Sequence, residues 1–484
     1  MLFMGMSDRE IKDVYEGGFP VVRDTIRRLE ERIELLDKLE ERVARLEARN
    51  KKDSHNSSKP PSSDGFKRIQ RTNSLRRKSG KKAGGQIGHE GTTLEMTDTP
   101  DRIETHPAIA CRCCGKSLSA VKSRTYERRQ VFDIPEMPIE VTEHRTEEKE
   151  CPHCHTVTTG AFPERVTQRV QYGLRIQSMA VYFMNYQHLP YERTEEAFRD
   201  LFGIGLSHGT ISTMNKRCAL RLEDAIEWIR NRLIGKNVVH FDETGVRVAK
   251  KLRWLHLAGA DDATLYTCSN KRGNDGMDAA GVLPKFRGTA IHDGWKAYWK
   301  YLCSHGLCNA HHLRELIFIA EQYRQKWATR MKRLLLRIKE MVDKCTERAL
   351  PVKIIRRFER EYARIIKDGL RINPKRKKRS STRGKIAQGA ARNLLERLSD
   401  YKSEVLGFMY DFNIPFDNNF GERDIRMMKV HEKISGCFRS IQGAETFCDI
   451  RSYISTVKKQ GKNVMGALEH AFSFSAVKFL TESE

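Results

Sequence analysis

The apolar positions of the chain change period several times, and each change marks a boundary. From Val22, apolar residues recur at Ile26, Leu29, Ile33, Leu36, Leu39, Val43 and Leu46, in steps of 4, 3, 4, 3, 3, 4 and 3. This is a heptad seam with one three-residue stammer after Leu36, and it predicts a helix over 21–49 that pairs as a coiled coil. Glu and Arg fill the other positions and nothing nearby can cover the stripe, so the seam predicts at least a dimer. Past Asn50 the pattern dissolves into Pro60-Pro61, serines and Gly84-Gly85-Gln86-Ile87-Gly88-His89-Glu90-Gly91, a composition that builds no core and reads as an extended arm.

Further along, Gln130–Ile134 and Ile139–Arg145 alternate like strands around residues 135–138. Leu174–Asn185 and Arg193–Phe202 have helical spacing. Gly203 then breaks the chain, and Ser207 is placed to cap a further helix through Ile211 and Met214, the pattern of a helix-turn-helix. From Asn237 the period falls to two. Strands are predicted at 237–242, 253–260 and 264–269, a helix near 275–283 and a strand at 288–291, which is a ribonuclease-H-like order. Residues 313–370 return to amphipathic helix, as in Trp327–Met341.

Charge gives these segments a partner. The 484 residues hold 88 Lys+Arg against 63 Asp+Glu, a net of +25, which points to a polyanion and most often to nucleic acid. Two short runs concentrate the excess. One lies in the arm and includes Arg76, Arg77, Lys78, Lys81 and Lys82. The other is the acid-free stretch 371–385 with Lys375, Arg376, Lys377, Lys378 and Arg379. Both suit phosphate contact, which needs cations but no sequence code. No stretch reaches the length of a membrane span, and the charged residues that follow Met1 argue against a signal peptide, so a cytoplasmic, nucleoid-associated protein is expected.

Within this basic chain three acids stand out. Asp242 ends the first strand and Asp293 follows the fourth, so the predicted topology sets them side by side. Neighbouring carboxylates repel, but they serve well as hard oxygen ligands for divalent cations. A later helix supplies the third acid, Glu422. At 100° per residue, Asn418, Asn419, Arg426 and Lys429 fall on the Glu422 face, while Asp424 lies about 200° away. The separation of 129 positions from Asp293 to Glu422 predicts a helical insertion. Among the twelve cysteines, Cys111-x-x-Cys114 and Cys151-x-x-Cys154 give four thiolates, the set a structural Zn²⁺ prefers, with Cys113, His153 and His155 as substitutes.

Taken in order, these motifs resemble the transposases of the insertion sequence 66 family. The resemblance covers nearly the whole chain. It rests on the zipper-like start, Asn-Ser-Ser-Lys-Pro-Pro-Ser-Ser-Asp at 56–64, Gly-Gly-Gln-x-Gly-His-x-Gly at 84–91, the two cysteine pairs, Asp242-Glu-Thr-Gly, Asp293-Gly-Trp-Lys-Ala-Tyr and Asn418-Asn-x-x-Glu422-Arg. It implies a DDE transposase with Asp242, Asp293 and Glu422 as catalytic triad. Two Mg²⁺ (or Mn²⁺) ions per site, cleavage at element ends and strand transfer into target DNA go with that reading. The implied partners are the terminal inverted repeats, target DNA, a second copy of the chain and accessory proteins of the same element. Cys308-Asn-Ala-His311 resembles the Cys-x-x-His element of related transposases. Two features depart from the family. His155 stands where Gly is frequent, and the chain ends soon after Phe474, so a further C-terminal segment is expected to be short or absent. The alternatives are a ribonuclease-H-like nuclease without strand transfer, a zinc-dependent DNA-binding regulator, and a scaffold dimerised by its coiled coil.

The expected architecture is multidomain α+β. It comprises a coiled-coil helix (1–50), a basic arm (51–100), a zinc-ribbon-like domain (101–165), a helical, helix-turn-helix-like DNA-binding domain (166–235), the first part of a ribonuclease-H-like catalytic core (236–312), a helical insertion (313–411) and the C-terminal helices of the core (412–484).

Overall fold

A computed structural model describes residues 7–50, 94–125, 127–134, 139–347, 349–375 and 388–482. The arm residues Arg76, Arg77, Lys78, Lys81 and Lys82, and Arg376, Lys377, Lys378 and Arg379 of the second basic run, lie outside the described residues; Lys375 lies inside them and is exposed. Among the described residues no helix is long and apolar enough to cross a membrane.

Two helices open the chain, α1 (Asp8–Glu16) and α2 (Gly18–Asn50). The heptad reading starts at residue 21 and misses α1, whose signal is a capping box. The Glu10 N–H donates to the Ser7 hydroxyl, and the Ser7 N–H donates to the Glu10 carboxylate. α2 spans the predicted seam, and Ile26, Leu29, Ile33, Leu36, Leu39 and Val43 all face solvent.

The described residues from 94 to 162 belong to a unit of their own. Its strands are β1 (Glu148–Glu150) and β2 (Val157–Thr159), an antiparallel pair flanking the second cysteine pair. The strands expected at Gln130–Ile134 and Ile139–Arg145 do not form, and Val131, Ile134 and Val141 are exposed. Alternation makes a strand only where a neighbour supplies ladder bonds and a core covers one face, and neither is present there.

The larger unit continues from Pro163. It begins with α3 (Leu174–Val181), which runs into a π-helical turn at Tyr182–Tyr186, then α4 (Tyr191–Phe202), α5 (His208–Arg221) and α6 (Glu223–Ile234). Gly203 ends α4 at φ 66°, a left-handed position that glycine takes without strain, and the Thr210 N–H donates to the Ser207 hydroxyl at 3.1 Å to start α5. Phe198, Leu206, Ile211 and Met214 form a small core between these helices.

The sheet follows: β3 (Val238–Val248), β4 (Lys251–Gly259), β5 (Thr264–Ser269), then α7 (Asn274–Ala280), β6 (Thr289–His292) and β7 (Ser304–Leu307). The strand order is β5-β4-β3-β6-β7, with β3, β4 and β5 antiparallel and β6 and β7 parallel to β3. β3 runs six residues beyond the predicted Asp242. Its turn is Ala249-Lys250 at φ 48° and 65°, without the Asn or Gly that advertises such hairpins. One sheet face, with Val239, Phe241 and Leu265, packs on α6 and α7; the other, with Val246, Val248 and Leu257, packs on α14 (Asn419–Ser435), as described below.

Between β7 and α14 lies the helical insertion: α8 (Asn309–Gln322), α9 (Lys326–Lys344), α10 (Val352–Ile372), α11 (Ala390–Asp400), α12 (Lys402–Val405) and α13 (Gly407–Tyr410). It has its own core around Trp327, Met331, Tyr362 and Leu395. After α14 come α15 (Ile441–Lys459), α16 (Val464–Ser473) and α17 (Ala476–Thr481). α15 covers the exposed side of β5. The Tyr266 N–H donates to the Ser452 hydroxyl at 2.8 Å, and the Thr264 N–H to the Thr456 hydroxyl at 3.0 Å. Two helix side chains thus satisfy an edge strand that would otherwise invite pairing with another chain.

Candidate active site

The parallel pairing of β3 with β6 runs Val238↔Thr289, Val239↔Ala290, His240↔Ile291. Asp242 and Asp293 each lie two residues beyond the last pair, so the register carries both acids to the same level, where the parallel pairing of β3 and β6 stops. Pleat alternation then separates Asp242 from Glu243. The even residues Val246 and Val248 face the helices carrying Ile425 and Phe447, and Asp242 shares their side, whereas Glu243 shares the side of Phe241.

α14 brings Glu422 to this level of the sheet, and its approach is built from small and buried groups. A side chain at Gly421 would sit 3.3 Å from His240 Cβ and 3.0 Å from Asn418 Oδ1, so glycine allows the helix to close on β3. Asn418 is buried and pins the helix start. Its Nδ2–H donates to Phe241 O at 2.9 Å, its Oδ1 accepts from His240 Nδ1–H at 2.7 Å, and its backbone N–H donates to Cys308 Sγ at 3.1 Å. Helical phase alone put Asn418 on the Glu422 face. The structure corrects this: Asn418 is the residue preceding the helix, and its amide turns into the strand. Asp424, the nearest rival acid, faces away, as the phase predicts, and its Oδ2 takes Lys459 Nζ at 2.6 Å.

Asp242 feels the charge of both other acids. Burial, then the adjacent Glu243 carboxylate, push the Asp242 carboxyl up to about 8; Asp293 and Glu422 add to the rise, and the Glu243 N–H, donating to Asp242 Oδ1 at 2.9 Å, opposes it. Asp293 Oδ1 accepts from the Trp295 N–H at 2.8 Å, in a turn that passes through Gly294 at φ 87°. Around Glu422 stand three basic groups. His311 Nδ1 is 3.8 Å from Oε1, while Arg314 at 3.8 Å and Arg426 at 3.4 Å approach Oε2. Burial and Arg314 lower the His311 pKa, and burial pushes the Cys308 thiol up to about 12. Lys429 is directed elsewhere, to Gly245 O at 3.1 Å and Glu432 at 2.8 Å.

Sequence reading passed over a second layer. Glu243, nearly inaccessible, accepts from Tyr298 OH at 2.7 Å and from the Arg272 guanidinium at 2.7 and 3.0 Å. Arg272 in turn lies over Trp254 and Trp295, 5.0 and 4.3 Å from the ring centres. The signal for Glu243 was its place beside Asp242 on a strand. Arg272 carried none, because its partners come from three separate elements. Arg314 was legible in principle, one helical turn after His311.

In the separate unit each cysteine pair forms a knuckle turn. Cys111 N–H donates to Lys116 O and Cys151 N–H to Thr156 O, and the Gly115 and His155 amides return to the Cys111 and Cys151 carbonyls. The Cys113 and Cys114 amides point at Cys111 sulfur, which holds that thiol below its usual range. Such turns present paired thiolates, and the donor set fits zinc. Among the described residues the four sulfurs do not form one close cluster. Gly115 takes φ 70° and His155 takes φ 56° at the matching position.

A family model described as the Transposase IS66 family matches residues 169–446, more than half of the chain. The chain belongs to this transposase family. A second model, the zinc-finger binding domain of transposase IS66, matches residues 109–155 and supports structural zinc in this family member. A third, a family of unknown function (DUF6444), matches residues 20–95. The chain is also similar to the uncharacterized protein y4jD of Sinorhizobium fredii, at 24% identity over 379 residues, covering 73% of this chain and 72% of that protein.

Proposed function

We propose that this family member is a DDE transposase that cuts DNA at the ends of its insertion sequence and joins the freed 3′-OH to target DNA. What supports this is the β3–β6 register, which sets Asp242 and Asp293 at one level of adjacent strands, with α14 carrying Glu422 packed on β3, in a sheet of order β5-β4-β3-β6-β7 that a ribonuclease-H-like domain would have. A carboxyl pushed up to about 8 by burial and by other acids costs stability, and a divalent cation would relieve that cost. The three acids would hold Mg²⁺ or Mn²⁺, two ions per site. When bound, these supply a nucleophile activated at neutral pH and neutralise charge on the phosphoryl oxygens.

The chain's own side chains do the positioning. Asp242 and Asp293 are fixed by backbone N–H donors from the following residues. Asn418 and Gly421 set the depth of α14 and hence of Glu422. Arg314 and Arg426 lie where they would grip a phosphate oxygen next to the scissile bond. Arg272, locked by Glu243 and two indoles, borders the Asp293 side. The four cysteines hold zinc. The basic runs and α5 hold the duplex, and α2 joins two or more copies, working in the cytoplasm at the nucleoid with or without accessory proteins of the element.

Incubating the purified chain with Mg²⁺ and pre-cleaved element ends bearing 3′-OH tests the reading. Joined products support it; cutting of intact ends without any joining would replace it with a ribonuclease-H-like nuclease.

A further inference from the structure

We propose that Cys308, His311 and Glu422 form a second metal site, for a single soft divalent cation such as Zn²⁺, distinct from the hard-cation site of the triad. The proposal shares Glu422 with the triad reading and rests on it for that residue's second role.

Three observations carry it. First, one Cys Sγ, one His ring nitrogen and one carboxylate oxygen lie within 4.8 Å of one another. Donors around a tetrahedral zinc with bonds of about 2.0–2.3 Å sit roughly 3.3–3.8 Å apart. The 3.8 Å between His311 Nδ1 and Glu422 Oε1 already falls at that limit. Second, those two atoms are both buried and neither has a hydrogen-bond partner. A buried imidazole nitrogen facing a buried carboxylate oxygen, each unmatched, is costly unless one group bonds both, and a cation does so. Third, Cys308 sulfur receives the Asn418 backbone N–H at 3.1 Å, while the His311 N–H closes the turn onto the Cys308 carbonyl at 3.2 Å. The zinc-finger unit repeats this on Cys111, whose sulfur receives the Cys113 and Cys114 amides. Amides aimed at sulfur stabilise a thiolate. The spacing is also shared: Cys308-x-x-His311 is the third i, i+3 ligand pair in the chain, set at the start of α8 as the others are set in their turns.

The flanking charges divide the carboxylate. Arg314 and Arg426 approach Oε2, whereas Oε1 faces His311. Bound through Oε1, the cation would tie the end of β7 and the first turn of α8 to α14, fixing the third acid of the triad in place. The thiol proton is released to solvent on binding, and a water or hydroxide completes four-coordination.

The test is zinc content of the full-length chain after dialysis against trace chelator, with Co²⁺ substitution as a spectroscopic stand-in. The wild type should retain about two equivalents per chain, one in the zinc finger and one here. Cys308→Ser and His311→Gln should each lose one equivalent, and Cys111→Ser with Cys151→Ser should lose the other. In the Co²⁺ form of the Cys111→Ser/Cys151→Ser chain, a thiolate-to-cobalt charge-transfer band should remain and vanish on adding Cys308→Ser. The far-ultraviolet circular dichroism of each variant guards against misfolding. One equivalent in the wild type, or a cobalt band indifferent to Cys308, overturns the proposal. Glu422→Gln separates the two roles. Lost Mg²⁺-dependent cleavage with unchanged zinc content would sink this site and leave the triad. Normal cleavage with one equivalent lost would sink the triad and leave this site.

Discussion

Replacing Asp242 by Asn gives a prediction whose sign depends on pH. In the folded chain the Asp242 carboxyl is pushed from its ordinary 3.8 up to about 8, first by burial and then by Glu243. The folded state therefore holds a proton that the unfolded chain releases, and stability falls as pH rises between those two values. Below pH 4 the residue is neutral in both states and contributes nothing. Each pH unit in the window is worth at most about 1.36 kcal/mol, and partial contact with solvent reduces the total to roughly 2–3 kcal/mol by pH 8. Asp242→Asn keeps the shape and removes the ionisation. In the presence of chelator it should equal the wild type near pH 4 and exceed it by that amount at pH 8, a rise of roughly 3–5 °C in the melting temperature of a unit this size. Glu243 is present in both proteins and largely cancels in the difference. Saturating Mg²⁺ should close or invert the gap, because the cation stabilises only a chain that can bind it. Calorimetric melts of both proteins from pH 4 to 8, with and without Mg²⁺, decide the matter. A gap that is constant with pH, or one that Mg²⁺ leaves untouched, refutes the reasoning.

The other predictions concern separate parts of the molecule. His155→Gly relieves a left-handed backbone at φ 56°, so zinc-loaded protein should resist unfolding by up to about 1 kcal/mol more than wild type, read as a chelator or urea midpoint. Leu29→Asp with Leu36→Asp places charge in the exposed α2 seam; sedimentation equilibrium should show the mass fall to one chain, and a wild type already monomeric would end the coiled-coil reading. Asp424→Ala removes the counter-charge of the half-buried Lys459 ammonium, leaving it only the Ala260 and Ala263 carbonyls, and should cost about 1–3 kcal/mol of stability. Cleavage per folded molecule should be unchanged, which is the control that separates Asp424 from Glu422 on the same helix.

What could be read ahead of the structure followed from periodicity. The seam of α2, the caps at Gly203 and Ser207, and the order of strands from β3 to β6 are all carried by residues local to each element. So are the positions of Asp242 and Asp293, since each follows a short apolar run whose direction the topology fixes. The features that escaped depend on contacts across the chain. β3 continues to Val248 because β4 pairs with it through Lys251, and its turn carries no turn residue. Asn418 belongs by helical phase with Glu422, but hydrogen bonds to His240 and Phe241 turn it inward. The Glu243–Arg272 pair and its two tryptophans unite residues 254, 272 and 295, which no local pattern connects. In the zinc-finger unit, alternation at 130–134 and 139–145 overstated strand content because a unit held by cysteine knuckles offers little core.

The most direct test of the central claim is Mg²⁺-dependent cleavage of DNA carrying the element ends by Asp242→Asn, Asp293→Asn and Glu422→Gln. Losing a carboxylate that holds the cation removes several kcal/mol of transition-state stabilisation, so each variant should cut roughly a thousandfold more slowly or not at all. Binding to the same ends in a mobility-shift assay should be unchanged. Wild-type cleavage by any one of the three would contradict the assignment of that residue, and wild-type cleavage by all three would contradict the account.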